Sequence, residues 1–178
     1  MYKAKVIAVA LAVVLSGNVV RAEDQSALWL TDDQITLIRT NCVDVQSTLQ
    51  RIHSSDALVR VNLGQRYETI ATKLMAPLNS RIALNRLDSV ELTKTAADFN
   101  EALAEFRTLY QQYEQTTLSA IEMKCKDQPV RFYDTIALAR DHRAAVHDAV
   151  GKLNSLLKQY GEQFTAFRAQ VLADRKES

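Results

Sequence analysis

The chain predicts an all-α fold, an elongated antiparallel three-helix bundle with coiled-coil-like packing. Three observations predict it. Apolar residues recur in alternating three- and four-residue steps through three long stretches, glycine and proline number only four and two among 178 residues, and strand-like alternation is absent. A helix with about 3.6 residues per turn gathers such steps onto one narrow stripe, which is a seam for lying along other helices.

The first residues read as a leader rather than as part of the bundle. Lys3 and Lys5 supply a positive start, Val6 to Leu15 is an apolar run, and Ser16-Gly17-Asn18 breaks it. Val20-Arg21-Ala22 then carries the small residues a signal peptidase needs, with Glu23 as the first mature residue. The run is short for a bilayer core of about 30 Å. Residues 1–22 are therefore read as a signal peptide, against the alternative of an uncleaved anchor, and 23–178 as a single helical-bundle domain.

The first helix, about 32–85, opens on a capping box. Thr31 is followed three residues later by Gln34, and Asp32 and Asp33 suit the positive end of the helix dipole. Its stripe runs Ile35, Ile38, Cys42, Val45, Leu49 and Ile52, continues through Asp56, Val59 and Leu63, and drifts through Tyr67, Ile70 and Leu74. Such a drift resembles a stutter, and Pro77 should kink or interrupt the helix soon after it.

The second helix, about 88–126, has a start at Asp88 with Glu91 three residues on, and Leu87 is placed to staple against Leu92. Its stripe is Leu92, Ala96, Phe99, Leu103, Phe106, Tyr110, Tyr113, Thr117 and Ala120. After the turn at Asp127-Gln128-Pro129, the third helix, about 129–174, carries the most regular stripe. It begins Phe132, Ile136, Ala139, Arg143, Val146, Val150 and Leu153, and ends Leu157, Tyr160, Phe164, Phe167 and Val171. Long helices joined by short turns fold back on one another.

Cys42 and Cys125 are the two cysteines. Export favours a disulfide between them, the alternative being two separately buried thiols. In an antiparallel hairpin, bonded residues lie equally far from the apex, which then falls near residues 83–84, between Pro77 and Asp88. The same register sets the third helix parallel to the first at an offset of about 86 residues. Arg143 then lies level with Asp56, with Tyr110 close by. The expectation is an Asp56–Arg143 pair with the Tyr110 hydroxyl beside it, a structural polar layer that sets register, against the alternative of both charged side chains snorkelling to solvent.

Chemistry is sparse. Removing Lys3, Lys5 and Arg21 from the 22 basic residues leaves 19 against 21 acidic ones, and no basic stripe marks a nucleic-acid binder. His53, His142 and His147 do not share a helix face at ligand spacing, and no phosphate-cradling loop is present. Neither catalytic residues, cofactor nor metal site is expected, because three zipped rods should leave no deep cleft.

Leu30-Thr31-Asp32-Asp33-Gln34 resembles the LTxxQ signature of the Spy and CpxP type of periplasmic chaperone. That resemblance implies an exported, helical, cofactor-free protein that holds unfolded clients on a concave apolar surface; a second copy of the motif is absent. Asp56 to Asn62, Leu74 to Asn79 and Arg131 to Asp134 resemble segments of exported helical proteins from reduced-genome, host-dependent bacteria, which implies an envelope or extracellular setting. The function expected is non-enzymatic: a secreted or cell-envelope spacer or protein-interaction module with a protein partner or self-association, the alternative being a holdase chaperone.

Overall fold

The computed structural model describes residues 30–177, and the leader lies outside them. All described regular structure is helical: α1 (Asp32–Thr69), a π-helical segment (Ile70–Met75), α2 (Ala76–Leu84), α3 (Val90–Glu122) and α4 (Pro129–Glu177). α1, the π segment and α2 follow without a break and form one rod. α3 is the second rod and α4 the third, about 73 Å long at 1.5 Å per residue. Together they make an all-α bundle.

The second and third rods form the packed pair. All nine stripe residues expected on α3, from Leu92 to Ala120, are buried. Phe132, Ala139, Leu153 and Tyr160 face them from α4. Phe164 is a departure, since it is more than a third exposed near the far end of that rod.

The first rod is bound more loosely. Of the 38 residues of α1, only Cys42 and Tyr67 are buried, while Val45, Ile52 and Val59 on its expected stripe are exposed. Its apolar contacts concentrate at two ends. One cluster gathers Cys42, Ala120, Cys125 and Phe132; the other and larger one gathers Tyr67, Ala71, Met75 and Ile82 against Phe99 and Leu103.

Local chemistry explains the helix ends. The Thr31 hydroxyl accepts from the Gln34 backbone N–H at 3.3 Å, and the Gln34 side chain accepts from the Thr31 N–H at 2.9 Å, so the capping box forms. The second start differs from expectation. Ser89 is the N-cap, and the Asp88 carboxylate accepts from Val90 N–H at 3.4 Å instead of closing a box with Glu91. The preceding turn requires this shift. Arg86 adopts φ 55°, and Leu87 N–H and Arg86 N–H bond back to the Ile82 and Ala83 carbonyls, so a Schellman motif ends the rod.

The π segment resolves the drift in the first stripe. In a straight α-helix the Pro77 ring would collide with the Lys73 carbonyl. The widened turn, in which Ala76 N–H reaches back five residues to the Ala71 carbonyl, relieves that collision. The extra residue also moves the buried face to Tyr67, Ala71 and Met75. Leu74, expected on the seam, points out and is 61% exposed, whereas Met75 is 1% exposed. Truncating Met75 to Ala should therefore cost about 2–5 kcal/mol in a denaturant titration, and Leu74→Ala should cost within about 0.5 kcal/mol. Equal costs would contradict this register.

Candidate functional site

Below the π segment, the first rod is tied to the third, or to the turn before it, at three levels, and each level is built from different chemistry. At the lowest, Cys42 and Cys125 are disulfide-bonded with their Cα atoms 5.9 Å apart. Two polar side chains reinforce the bond. Gln46 Nε2 donates to the carbonyls of Ala120, Ile121 and Met123 at 2.7–3.0 Å, where the end of α3 leaves carbonyls without helical partners. Arg39 Nε donates to the Lys126 carbonyl at 3.0 Å in the following turn. The sequence pattern does not mark either residue, because a polar residue beside a seam reads as a solvated one.

The middle level is the polar layer. Arg143 Nε donates to Asp56 Oδ2 at 2.9 Å and Arg143 Nη2 to Asp56 Oδ1 at 3.1 Å, a bidentate pair across the first and third rods. The offset is 87 residues. The third member is Tyr113, whose hydroxyl donates to Asp56 Oδ2 at 2.7 Å. Tyr110 does not make the contact expected of it. Its ring lies under the Arg60 guanidinium, 4.4 Å from Cζ to the ring centroid, and its hydroxyl is buried without a well-formed hydrogen bond. Burial raises the Tyr110 hydroxyl above its ordinary pKa.

Electrostatics in this layer follow from the geometry. Partial burial pushes the Asp56 carboxyl up, but the hydrogen bonds from Arg143 and Tyr113 outweigh it and hold the group below its usual value. Tyr113 is pushed up to about 12, first by burial and then by its bond to Asp56.

The upper level pairs Tyr67 with Asn154. The hydroxyl donates to Asn154 Oδ1 at 3.0 Å, again 87 residues away, while the ring stands edge-on to Phe99 and Phe106 at 6.1 Å. Asp56 to Tyr67 and Arg143 to Asn154 are both eleven-residue steps. Eleven residues make just over three turns of a straight helix, so each rod offers the same face at both levels. Beyond the π segment, Tyr160 Oη donates to Asn79 Oδ1 at 3.0 Å, an offset of 81. The first rod thus leans across the third at its end.

The first and third rods stand apart in two places, one beside the disulfide and one above the polar layer, which corrects the expectation of a cleft-free bundle. The upper groove, about 570 Å³, has Phe106 and Tyr110 as its floor and Asp56, Arg60, Arg140 and Arg143 on its walls. The lower groove, about 330 Å³, runs between Leu37, Val45, Phe132 and Tyr133 and meets the upper one at Arg140. The histidines do not converge: His53 lies 4.0 Å from Glu114, His142 bonds to Thr116 and His147 neighbours Asp148. Among the described residues no group of three or more His, Cys, Asp or Glu side chains is placed to hold a metal, and no helix is long and apolar enough to cross a membrane.

No family model matches this chain, and no curated protein or solved structure matches it.

Asp56→Asn and Arg143→Gln should each destabilise by about 1 kcal/mol, because Arg143 is more than half exposed. The double variant should lose less than their sum, measured in a double-mutant cycle. The pH profile carries the sign. The Asp56 contribution is present above the ordinary carboxylate pKa and is lost as pH falls through the lowered folded value, so between about pH 5 and 3 the wild type should weaken more than Asp56→Asn. At the alkaline end, the Tyr113 contribution should fade as pH rises from its ordinary value through about 12.

Proposed function

We propose that this chain is a secreted or cell-envelope protein-interaction module without enzymatic activity, which docks a protein partner on the open face between its first and third rods. The observation that carries the reading is the exposed apolar lining of the lower groove. Leu37 is 65% exposed and Tyr133 47% exposed, and both stand beside the disulfide-bonded end of the bundle. Large apolar side chains grouped at a concave surface and rimmed by polar ones are the usual mark of a docking site. The rods supply a stiff frame, so little order is lost when a partner seats. The leader motif and the disulfide support an extracytoplasmic setting.

A holdase chaperone is the second reading, favoured by the same exposed apolar side chains together with the LTxxQ-like start at Leu30 to Gln34. The readings differ in what they retain. A module saturates with one partner; a holdase suppresses aggregation of several unrelated unfolded proteins.

The test uses mature, disulfide-intact protein as bait in envelope extracts, beside a Leu37→Glu, Tyr133→Glu double variant. One saturable partner retained by the wild type and lost by the variant, at an unchanged thermal midpoint, is the expected result. Partner retention indifferent to both substitutions would contradict the docking face. Broad suppression of aggregation without a discrete partner would favour the holdase.

A further inference from the structure

The lower groove has walls from two rods, and one covalent bond holds them together. Leu37, Asn41 and Val45 come from α1, and Phe132, Tyr133 and Ile136 from α4. Cys42 also lines the groove, and its partner Cys125 stands in the turn that leads into α4. Between Asp32 and Arg66, Cys42 is the one fully buried side chain of α1. What else holds this end is modest. Ile38 and Leu49 pack half-buried against the Cys42–Phe132 cluster, and the Gln46 and Arg39 side chains donate to carbonyls of α3 and the turn. Water competes for those hydrogen bonds, and helical stability in a folded protein comes mostly from packing, of which this stretch has little.

The sulfurs are shielded. Cys42 is 1% exposed and Cys125 2%, so a thiolate reaches them only while the lower end of α1 is open. A dithiol then attacks one sulfur, expels the other as a thiolate and forms a mixed disulfide; its second thiol resolves that bond. Two electrons and two protons pass to Cys42 and Cys125, and the reductant leaves as a cyclic disulfide. Both cysteines are then free thiols, and Leu37 and Val45 lose the tie that keeps them opposite Tyr133 and Ile136. The upper seam, where Tyr67, Ala71, Met75 and Ile82 pack with Phe99 and Leu103, is untouched.

We propose that the Cys42–Cys125 bond is a redox gate on the docking face. Oxidised, it assembles the groove and lets the partner seat; reduced by a dithiol, it releases the α1 wall and the partner, with the rest of the bundle folded. The gate rests on the reading of this groove as a docking face. Linkage makes it reciprocal: a seated partner favours the closed groove and slows reduction of the bond.

Two readouts on the mature protein separate the gate from the docking face. The first needs no partner. Methyl NMR follows Leu37, Ile38 and Val45 beside the buried Ile82, Leu103 and Leu153 in oxidised protein, after dithiothreitol, and in the Cys42→Ser, Cys125→Ser double variant. The three α1 residues should move to unfolded-chain positions on reduction and in the variant, while the other three stay. The second readout is retention of the envelope-extract partner, which should fall at least about tenfold on reduction and return when oxidised glutathione recloses the bond. The double variant should bind equally weakly with and without dithiothreitol, which separates the gate from any effect of the reductant on the partner. Unmoved α1 methyls, or equal retention by oxidised and reduced protein, would overturn the gate and leave the docking face intact. Loss of native positions for all six residues would overturn it too, since reduction would then unfold the bundle. Moved α1 methyls with no partner retained by either form would overturn the docking face and, with it, the gating of a partner.

Discussion

The bond between Cys42 and Cys125 joins the sparsely buried first rod to the turn that links the other two, and with it the register of the whole bundle follows. A covalent tie across 83 residues removes freedom from the unfolded chain worth about 4.5 kcal/mol in the chain-entropy account. Its position is as consequential as its size. Once Cys42 sits on Cys125, a helical rise of 1.5 Å per residue brings Asp56 to Arg143 and Tyr67 to Asn154, the first rod remaining parallel to the third. Gln46 and Arg39 finish the same end by satisfying carbonyls that the close of α3 and the turn after it would otherwise leave without partners.

Between that tie and Tyr67, the first rod depends on points of attachment instead of a continuous seam. The upper half of the first rod packs Tyr67, Ala71, Met75 and Ile82 against Phe99, Leu103 and Phe106, whereas its lower half buries little beyond Cys42. The Asp56 layer is half in water and so contributes modestly, but it is directional: a bidentate guanidinium and one phenol accept only one alignment. One groove lies between the Asp56 and Tyr67 levels, and the other flanks the disulfide. Openness here is a consequence of holding a rod by ties, and it leaves an apolar lining within reach of solutes.

Much of the fold was legible because it is written in periodicity. The α3 stripe was readable residue by residue, since a helix packed along its full length must repeat its apolar face. The Thr31 cap was readable from four residues. Tyr113 in place of Tyr110 was not, because both lie on one stripe a single turn apart, and only the crossing of the rods decides which hydroxyl arrives at Asp56. The π turn at Ile70–Met75 was half legible: the drift and Pro77 both marked it, but the identity of the shifted face, Met75 over Leu74, depends on which carbonyl gives way. The grooves were invisible for a different reason. Val45, Ile52 and Val59 have the spacing of seam residues, and spacing records which face is apolar without recording whether another helix comes close enough to cover it.

Hydrogen exchange on the mature protein before and after reduction of Cys42–Cys125 tests most directly whether the lower half of the first rod is held by discrete ties rather than by a continuous seam. On reduction, amides of about residues 32–50 should lose protection by several orders of magnitude while those of α3, α4 and the Tyr67–Ile82 stretch retain theirs. Loss of protection in all three rods together, or no change at the lower end of the first, would contradict the account.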